Sequence, residues 1–143
     1  MITNRQELKE YLAADKFAMA RTKRRPPFYD YEWRYLVILR KYEYWLNCGK
    51  GLLGRLFTLW YKLRWHQMGV KCCGFIVGPN VCGKGLSLAH PGSIHVNEGA
   101  RVGEYCRLHV GTSITTAAGA ASESCTIGNR VYIGPGARLF GNI

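Results

Sequence analysis

From residue 70 onward an aliphatic or similarly apolar residue returns at every sixth position, and few folds can carry that beat. Ile76, Cys82 and Leu88 are six apart; so are Val96, Val102, Leu108 and Ile114, and again Ile127, Ile133 and Leu139. Two residues before most of them stands a smaller side chain: Asn80, Ala100, Cys106, Thr112, Cys125, Val131 or Ala137. Glycine often follows, at Gly83, Gly103, Gly128 and Gly134. A fixed short repeat of this kind is the signature of a solenoid. In a three-sided coil, each hexad makes one short flat strand and one corner. The aliphatic residue and the small residue two before it both point inward, as strand alternation requires. Glycine is then expected to relieve the backbone where the chain turns. Three hexads complete a turn, so three walls are expected: Ile76, Val96, Ile114 and Leu139; Cys82, Val102 and Ile127; Leu88, Leu108 and Ile133. Cys106 should lie between Leu86 and Val131, and Cys125 over Ala100.

The first 70 residues follow a different period. Thr3 with Gln6 reads as a capping box, and Leu8, Tyr11 and Leu12 then recur at helical spacing. Pro26 and Pro27 are expected to end that helix. A second helix should begin near Asp30, with Tyr35, Ile38, Leu39, Tyr42, Trp45 and Leu46 on one buried face and Gly49 and Gly51 closing it. A third should run from about Leu52 to Gln67, with Leu53, Leu56, Phe57, Trp60 and Leu63 along one side. The chain therefore divides into a helical region, residues 1–70, and a coil of hexads, residues 71–143.

Charge is unevenly spread. The whole chain carries a formal +11. Residues 1–70 hold 14 Lys and Arg against 6 Asp and Glu, and residues 71–143 hold 6 against 3. The positive field thus belongs to the helical half. "RTKRR" is one short cluster without a reading module, so nucleic acid is not an expected partner. The most apolar helix carries Arg55, Lys62 and Arg64 and should not span a bilayer. No secretory signal opens the chain, and a cytoplasmic location is expected. Six cysteines without a C-x-x-C pair, two of them adjacent at Cys72 and Cys73, suit neither a disulfide framework nor a zinc site. Reduced, mostly buried thiols are expected, and no metal.

Hexads of the form [LIV]-G-x-x-[small]-x resemble those of the hexapeptide-repeat acyltransferases. "GKGLSLAHPGSIHVNEGARVG" and "IGNRVYIGPGARLFGNI" are similar to segments of the serine O-acetyltransferase branch. Closer still are the serine-acetyltransferase-like proteins of capsular and exopolysaccharide clusters, with their "GLSIAH", "RIHV" and "IGNNVYIGPGA" strings. The likeness covers residues 73–143 well and the helical front weakly. It implies an α+β chain whose helical region is followed by a left-handed parallel β-helix, an exception to the right-handed crossover rule. It also implies acetyl-CoA as co-substrate and a homotrimer whose clefts lie between subunits. The chain stops at Ile143, one hexad into a fourth coil, where such proteins carry further coils; a C-terminal truncation is expected.

The beat breaks twice. From Leu88 to Val96 the step is eight, so two extra residues bulge out within "AHPGSI". A corner histidine faces solvent or a neighbouring subunit, and the resemblance makes His90 the general base that takes a proton from an acceptor hydroxyl. Imidazole, with a reference pKa of about 6.5, suits that task. His109, in the slot where glycine is usual, is a candidate for the acceptor cleft. His95 should point outward from a flat strand, and His66 belongs to the third helix. The second break, Ile114 to Ile127, is a step of 13 around "TTAAGAASES". By the resemblance a loop here covers the groove, and backbone N–H groups near Thr115 and Thr116 face the thioester. Gly134, Pro135 and Gly136 match the hexad along which the pantetheine arm lies.

Enzymes of this branch that use free serine surround it with carboxylates. Phe75 stands where an aspartate is expected fifteen residues before the histidine, and Ala89 stands immediately before it. Asn97 and Glu98 are the remaining polar candidates for acceptor binding. A site so poor in negative charge points to a saccharide or lipid-linked glycan of surface-polysaccharide synthesis, with the basic, aromatic front meeting a pyrophosphate-linked glycan or the anionic membrane surface. A serine O-acetyltransferase and a non-catalytic trimeric scaffold are the alternatives.

Overall fold

The computed structural model describes residues 1–116 and 124–141. Helix α1 (Arg5–Ala18) is capped by Asn4, whose side chain accepts from the Gln6 and Glu7 N–H groups at 2.9 Å each. The expected Thr3–Gln6 box is therefore shifted by one: Thr3 donates to the Glu7 carboxylate from its amide and its hydroxyl. Asparagine caps at least as well as threonine, and that preference wins. The helix also ends earlier than the prolines require. Ala20 takes a left-handed φ of 53°, and the Arg21 amide closes the end on the Lys16 carbonyl at 3.0 Å.

Helix α2 (Tyr31–Cys48) starts where expected, with the Asp30 side chain accepting from the Trp33 amide, and ends at Gly49. Tyr35, Leu39 and Tyr42 are buried on its inner face. Helix α3 spans Gly51–Lys71. Its stripe of Leu53, Leu56, Phe57, Trp60 and Leu63 faces outward, with Leu53 70% exposed. The helix packs instead through Gly54, Met68 and Gly69, together with Trp65, whose indole N–H donates to the Tyr35 hydroxyl at 2.7 Å. A Cβ on Gly54 would meet the Gly49 carbonyl carbon at 2.5 Å, so the tight turn from α2 into α3 requires glycine there.

Among the described residues nine short strands follow: β1 (Phe75–Val77), β2 (Ser87–Ala89), β3 (Ile94–Val96), β4 (Arg101–Val102), β5 (Arg107–His109), β6 (Ser113–Thr115), β7 (Thr126–Ile127), β8 (Tyr132–Ile133) and β9 (Arg138–Phe140). All pairings are parallel and form three sheets, β1-β3-β6-β9, β2-β5-β8 and β4-β7, the last extended by a Cys82–Val102 bridge. The chain visits the three sheets in rotation, one hexad each, which is the three-sided coil that a period of six requires. Leu88, Leu108 and Ile133 align on one wall, and Val96, Ile114 and Leu139 on another.

The first coil departs from this pattern. Val77, not Ile76, pairs with Val96, and Ile76 is 52% exposed. Phe75 and Val77 point inward because the helices cover this end: Phe75 meets Tyr35 edge-on at 5.3 Å, and the Val77 amide donates to the Tyr35 hydroxyl. A slip of one residue turns a strand's faces over. The glycines after the aliphatic residues also act differently from expectation. Gly83 and Gly103 do not have positive φ; Asn80, Gly85, Tyr105 and Arg130 do. A Cβ on Gly103 would lie 2.5 Å from the Gly128 carbonyl oxygen, and one on Gly83 2.9 Å from the Gly103 backbone. These glycines let one coil stack on the next.

All six cysteines are free, and Cys72, Cys82, Cys106 and Cys125 are buried. Burial pushes the Cys72 and Cys82 thiols up to about 12, so they behave as apolar filler.

One polar cluster joins helices to coil. Arg40 is fully buried, and its Nε and Nη2 donate to Asp15, its Nη1 to Glu43, and its Nη1 and Nη2 also to the Cys82 and Gly83 carbonyls at 2.9 and 2.7 Å. Asp15 accepts further from the Leu86 amide, and Glu43 from the Asn80 amide. Burial alone would lower the guanidinium pKa, but the two carboxylates hold it above its ordinary value.

Replacing Arg40 by Ala leaves two buried carboxylates without their cation and should destabilise the fold by about 3–5 kcal/mol in urea titration. Gly103→Ala should cost about 1–3 kcal/mol. Gly128→Ala, whose Cβ meets nothing within 4 Å, should be tolerated.

Candidate active site

The corners that follow β2, β5 and β8 stack along one edge of the coil. Their residues are His90–Ser93, Val110–Gly111 and Gly134–Gly136. The Gly111 amide donates to the Ser93 carbonyl, and the Gly136 amide to the Val110 carbonyl at 3.0 Å. A Cβ on Gly111 would meet the Gly136 backbone at 3.1 Å. The two-residue insertion bulges at this edge and is tied down where the Gly92 amide donates to the Cys72 carbonyl at 2.8 Å.

His90 is exposed on that bulge with a left-handed φ of 65°. Such a backbone is uncommon for a residue with a Cβ and is concentrated at functional positions. Its ring lies 5.2 Å from that of His109, inclined at 60°, and His109 lies 6.3 Å from Tyr132. The parallel pairing Ala89–His109 sets this ladder. His109 is half-buried, and its Nδ1 is buried without a hydrogen-bond partner among the described residues. An unpaired buried ring nitrogen costs free energy until a ligand or water meets it.

Beside His90 is a cavity of about 140 Å³ lined by Met19, Arg21, Glu32, Ser87, Leu88, Ala89 and Arg107 as well as His90. Three of these come from the helical half. Arg21 is paired with Asp30 at 2.7 Å, which leaves Glu32 and Arg107 as the opposed charges at the cavity. Glu32 has no cation within 4 Å among the described residues. Its charge, after burial, is the second cause of the raised Cys72 thiol pKa. Carboxylate, guanidinium and imidazole thus line one small, partly open hollow.

The sequence pattern singles out His90 and His109, and the structure adds Glu32 and Arg107 to the cavity beside His90. Arg107 was recoverable, since it precedes Leu108 as Ser87 precedes Leu88 and so shares the wall of the histidine edge. Glu32 had no such signal, because only the docking of α2 on the coil brings it there. Glu98 is therefore not the only acidic residue available to a ligand near His90. Phe75, in the position expected of an aspartate, is buried in the core against Tyr35.

The other candidates lie elsewhere. Asn97 and Glu98 follow β3 and stand at the opposite end of that strand from His90. Asn97 accepts from the Gly99 amide through its side chain and shapes that turn. The Asn97 amide donates to the Ile114 carbonyl, so Thr115 and Thr116 share this second edge. Thr115 pairs with Phe140 in β9. Gly134, Pro135 and Gly136 sit on the histidine edge, where a Cβ at Gly136 would meet nothing within 4 Å. The loop expected to cover the groove, residues 117–123, lies outside the described residues. His95 lies between Ile76 and Ser113 on the outward side of its wall, and His66 is exposed on α3. Among the described residues no three His, Cys, Asp or Glu side chains are grouped as metal ligands.

A helical front followed by a three-sided parallel coil defines the class of fold, and solved structures share it. The chain is similar to serine acetyltransferase from Brucella abortus strain S19, with a TM-score of 0.71, 20% identity, and coverage of 97% of this chain and 56% of that one. It is similar to the soybean serine acetyltransferase apoenzyme at a TM-score of 0.65 and 22% identity, covering 96% and 56%. A hexapeptide-repeat serine O-acetyltransferase from Brucella melitensis gives 0.66 and 23%, covering 96% and 54%. The chain thus spans little more than half the length of these structures. No family model matches it, and no curated protein matches it in sequence.

Proposed function

We propose that this chain belongs to an acetyl-CoA-dependent O-acetyltransferase whose acceptor is a small hydroxy amino acid of the serine type. The observation that carries this reading is the cavity where His90, Glu32 and Arg107 converge. Glu32 would pair the acceptor's ammonium and Arg107 its carboxylate, each through charge-assisted hydrogen bonds. That arrangement turns the hydroxyl toward His90. The imidazole takes the hydroxyl proton as the oxygen attacks the thioester carbonyl carbon. The C–S bond then breaks, and the departing CoA sulfur takes the proton back from His90. The open corner at Gly134–Gly136, on the same edge, leaves room for the CoA arm against backbone. The fold likeness to serine acetyltransferases supports this reading. A left-handed winding of the coil and a cytoplasmic location, consistent with six free thiols, belong to it.

A saccharide acceptor of surface-polysaccharide synthesis is the second reading. Ala89 and Phe75 favour it, because both stand where serine-using sites place carboxylates and both are buried and apolar.

Thiol release from acetyl-CoA should be seen with serine, and a panel of sugars should give little. Release with sugars alone would install the second reading. No release and no CoA binding with any acceptor would leave a scaffold. His90→Ala should lower turnover about 10²-fold or more with the fold unchanged by circular dichroism. Full activity in that variant would remove the base. Glu32→Gln should raise KM for serine more than it lowers kcat.

The candidate residues occupy two edges of one chain, and a homotrimer would bring the second edge of a neighbour to the first. Chains carrying His90→Ala, mixed and reassembled with chains carrying Asn97→Ala and Glu98→Gln, should then recover activity that neither parent shows. Absence of recovery would place the site within one subunit.

A further inference from the structure

We propose that the outward face of α3 rests on an anionic phospholipid bilayer, lying in the plane of the membrane surface. This inference concerns a surface remote in function from the acetyl-transfer reading and does not depend on it.

Leu52, Leu53, Leu56, Leu59, Trp60 and Leu63 are all at least half exposed, Leu52 at 74% and Leu53 at 70%. At about 100° per residue they occupy one continuous arc of roughly 120°. The packed residues Gly54, Trp65 and Met68 lie on the opposite side. Leu53, Leu56, Phe57 and Trp60 line a shallow hollow of about 410 Å³ with almost no polar surface. Contiguous apolar area of this extent marks an interaction surface.

The charges around it select the occupant. No Asp or Glu occurs anywhere from Tyr44 to Asn97, while Lys50, Arg55, Lys62, Arg64 and Lys71 all do. Arg55 and Lys62 border one side of the arc, and Arg64 borders the other. None of the three has a carboxylate within 4 Å among the described residues. A second copy seated face to face would confront these cations with its own and bring no anion from its α3. A bilayer rich in acidic headgroups meets both demands: acyl chains for the leucines and phosphates for the flanking cations. Trp60, with an apolar ring and one N–H, suits the boundary between them. The helix does not cross the membrane; among the described residues none is long and apolar enough to do so.

The test is co-sedimentation of the full chain with vesicles of phosphatidylglycerol and phosphatidylcholine, against vesicles of phosphatidylcholine alone. Binding should be at least about tenfold tighter on the anionic vesicles, weaken with salt, and shift tryptophan emission to the blue. The exposed pairs Leu56→Ser with Leu63→Ser, and Arg55→Gln with Lys62→Gln, should each weaken binding at least about tenfold with unchanged circular dichroism. Equal binding to both vesicle types, no binding to either, or full binding by both variants would overturn the proposal. So would a sedimentation mass that falls to a smaller assembly in the leucine variant when the parent ignores vesicles, since a second copy would then own the face.

Discussion

The guanidinium of Arg40 is the point at which two unlike architectures are joined. Five N–H donors leave a planar fork, and all five are taken: by Asp15 on α1, by Glu43 on its own helix, and by two carbonyls of the first coil. The carboxylates in turn accept amides from Leu86 and Asn80. A solenoid end exposes unpaired backbone groups, and such groups are expensive when covered by apolar side chains alone. Here the helices cover that end with a charged cluster whose lone pairs and protons are matched. Buried ion pairs contribute little net stability against well-packed hydrophobes. Their geometric demand is the more telling property: the helices can dock in one register only, because a shift of either helix would strand a carboxylate or a carbonyl.

That register also shapes the cavity beside His90. The coil by itself supplies the histidine edge, since parallel pairing carries position 89 onto 109 and so places His90 and His109 within 5.2 Å. It does not supply a negative charge beside them. Glu32 arrives from the first turn of α2, eight residues before Arg40 on the same helix. The rigid span between them makes the buried cluster a positioning device for the cavity. The helical half thus lines the cavity beside His90.

Periodicity exposed what depends on local repetition and hid what depends on docking. Leu88, Leu108 and Ile133 were legible as a wall because each coil repeats the last. Ile76 was misread because Tyr35, forty-odd residues away, draws Phe75 and Val77 inward and turns the strand over. The roles of Gly83 and Gly103 were misassigned for a related reason. A glycine required by a neighbouring backbone leaves the same mark in sequence as one required by its own φ. Helical spacing gathers the apolar residues of α3 on one face but does not say which way that face is turned. The bulge that carries His90 is legible because a break in a strong beat is itself a signal. Asn97 and Glu98 were grouped with it by closeness in sequence, and β3 holds the two ends apart.

The two faces of the helical half impose opposite requirements. Toward the coil, polar groups are buried and every one in the Arg40 cluster is matched. On α3, large apolar groups are exposed while its packed side is made of Gly54, Met68 and Gly69. Small residues inward and leucines outward reverse the usual order of a globular helix. The tight turn from α2 into α3 explains the inner choice at Gly54, since Gly54 and Gly49 touch. It does not explain the outer one, for which lysine or glutamate would serve packing equally and solubility better. An acid-free stretch of more than fifty residues around that face restricts the explanation further. Leucine, tryptophan and arginine together on one outward arc are the set that the proposed anionic bilayer would select.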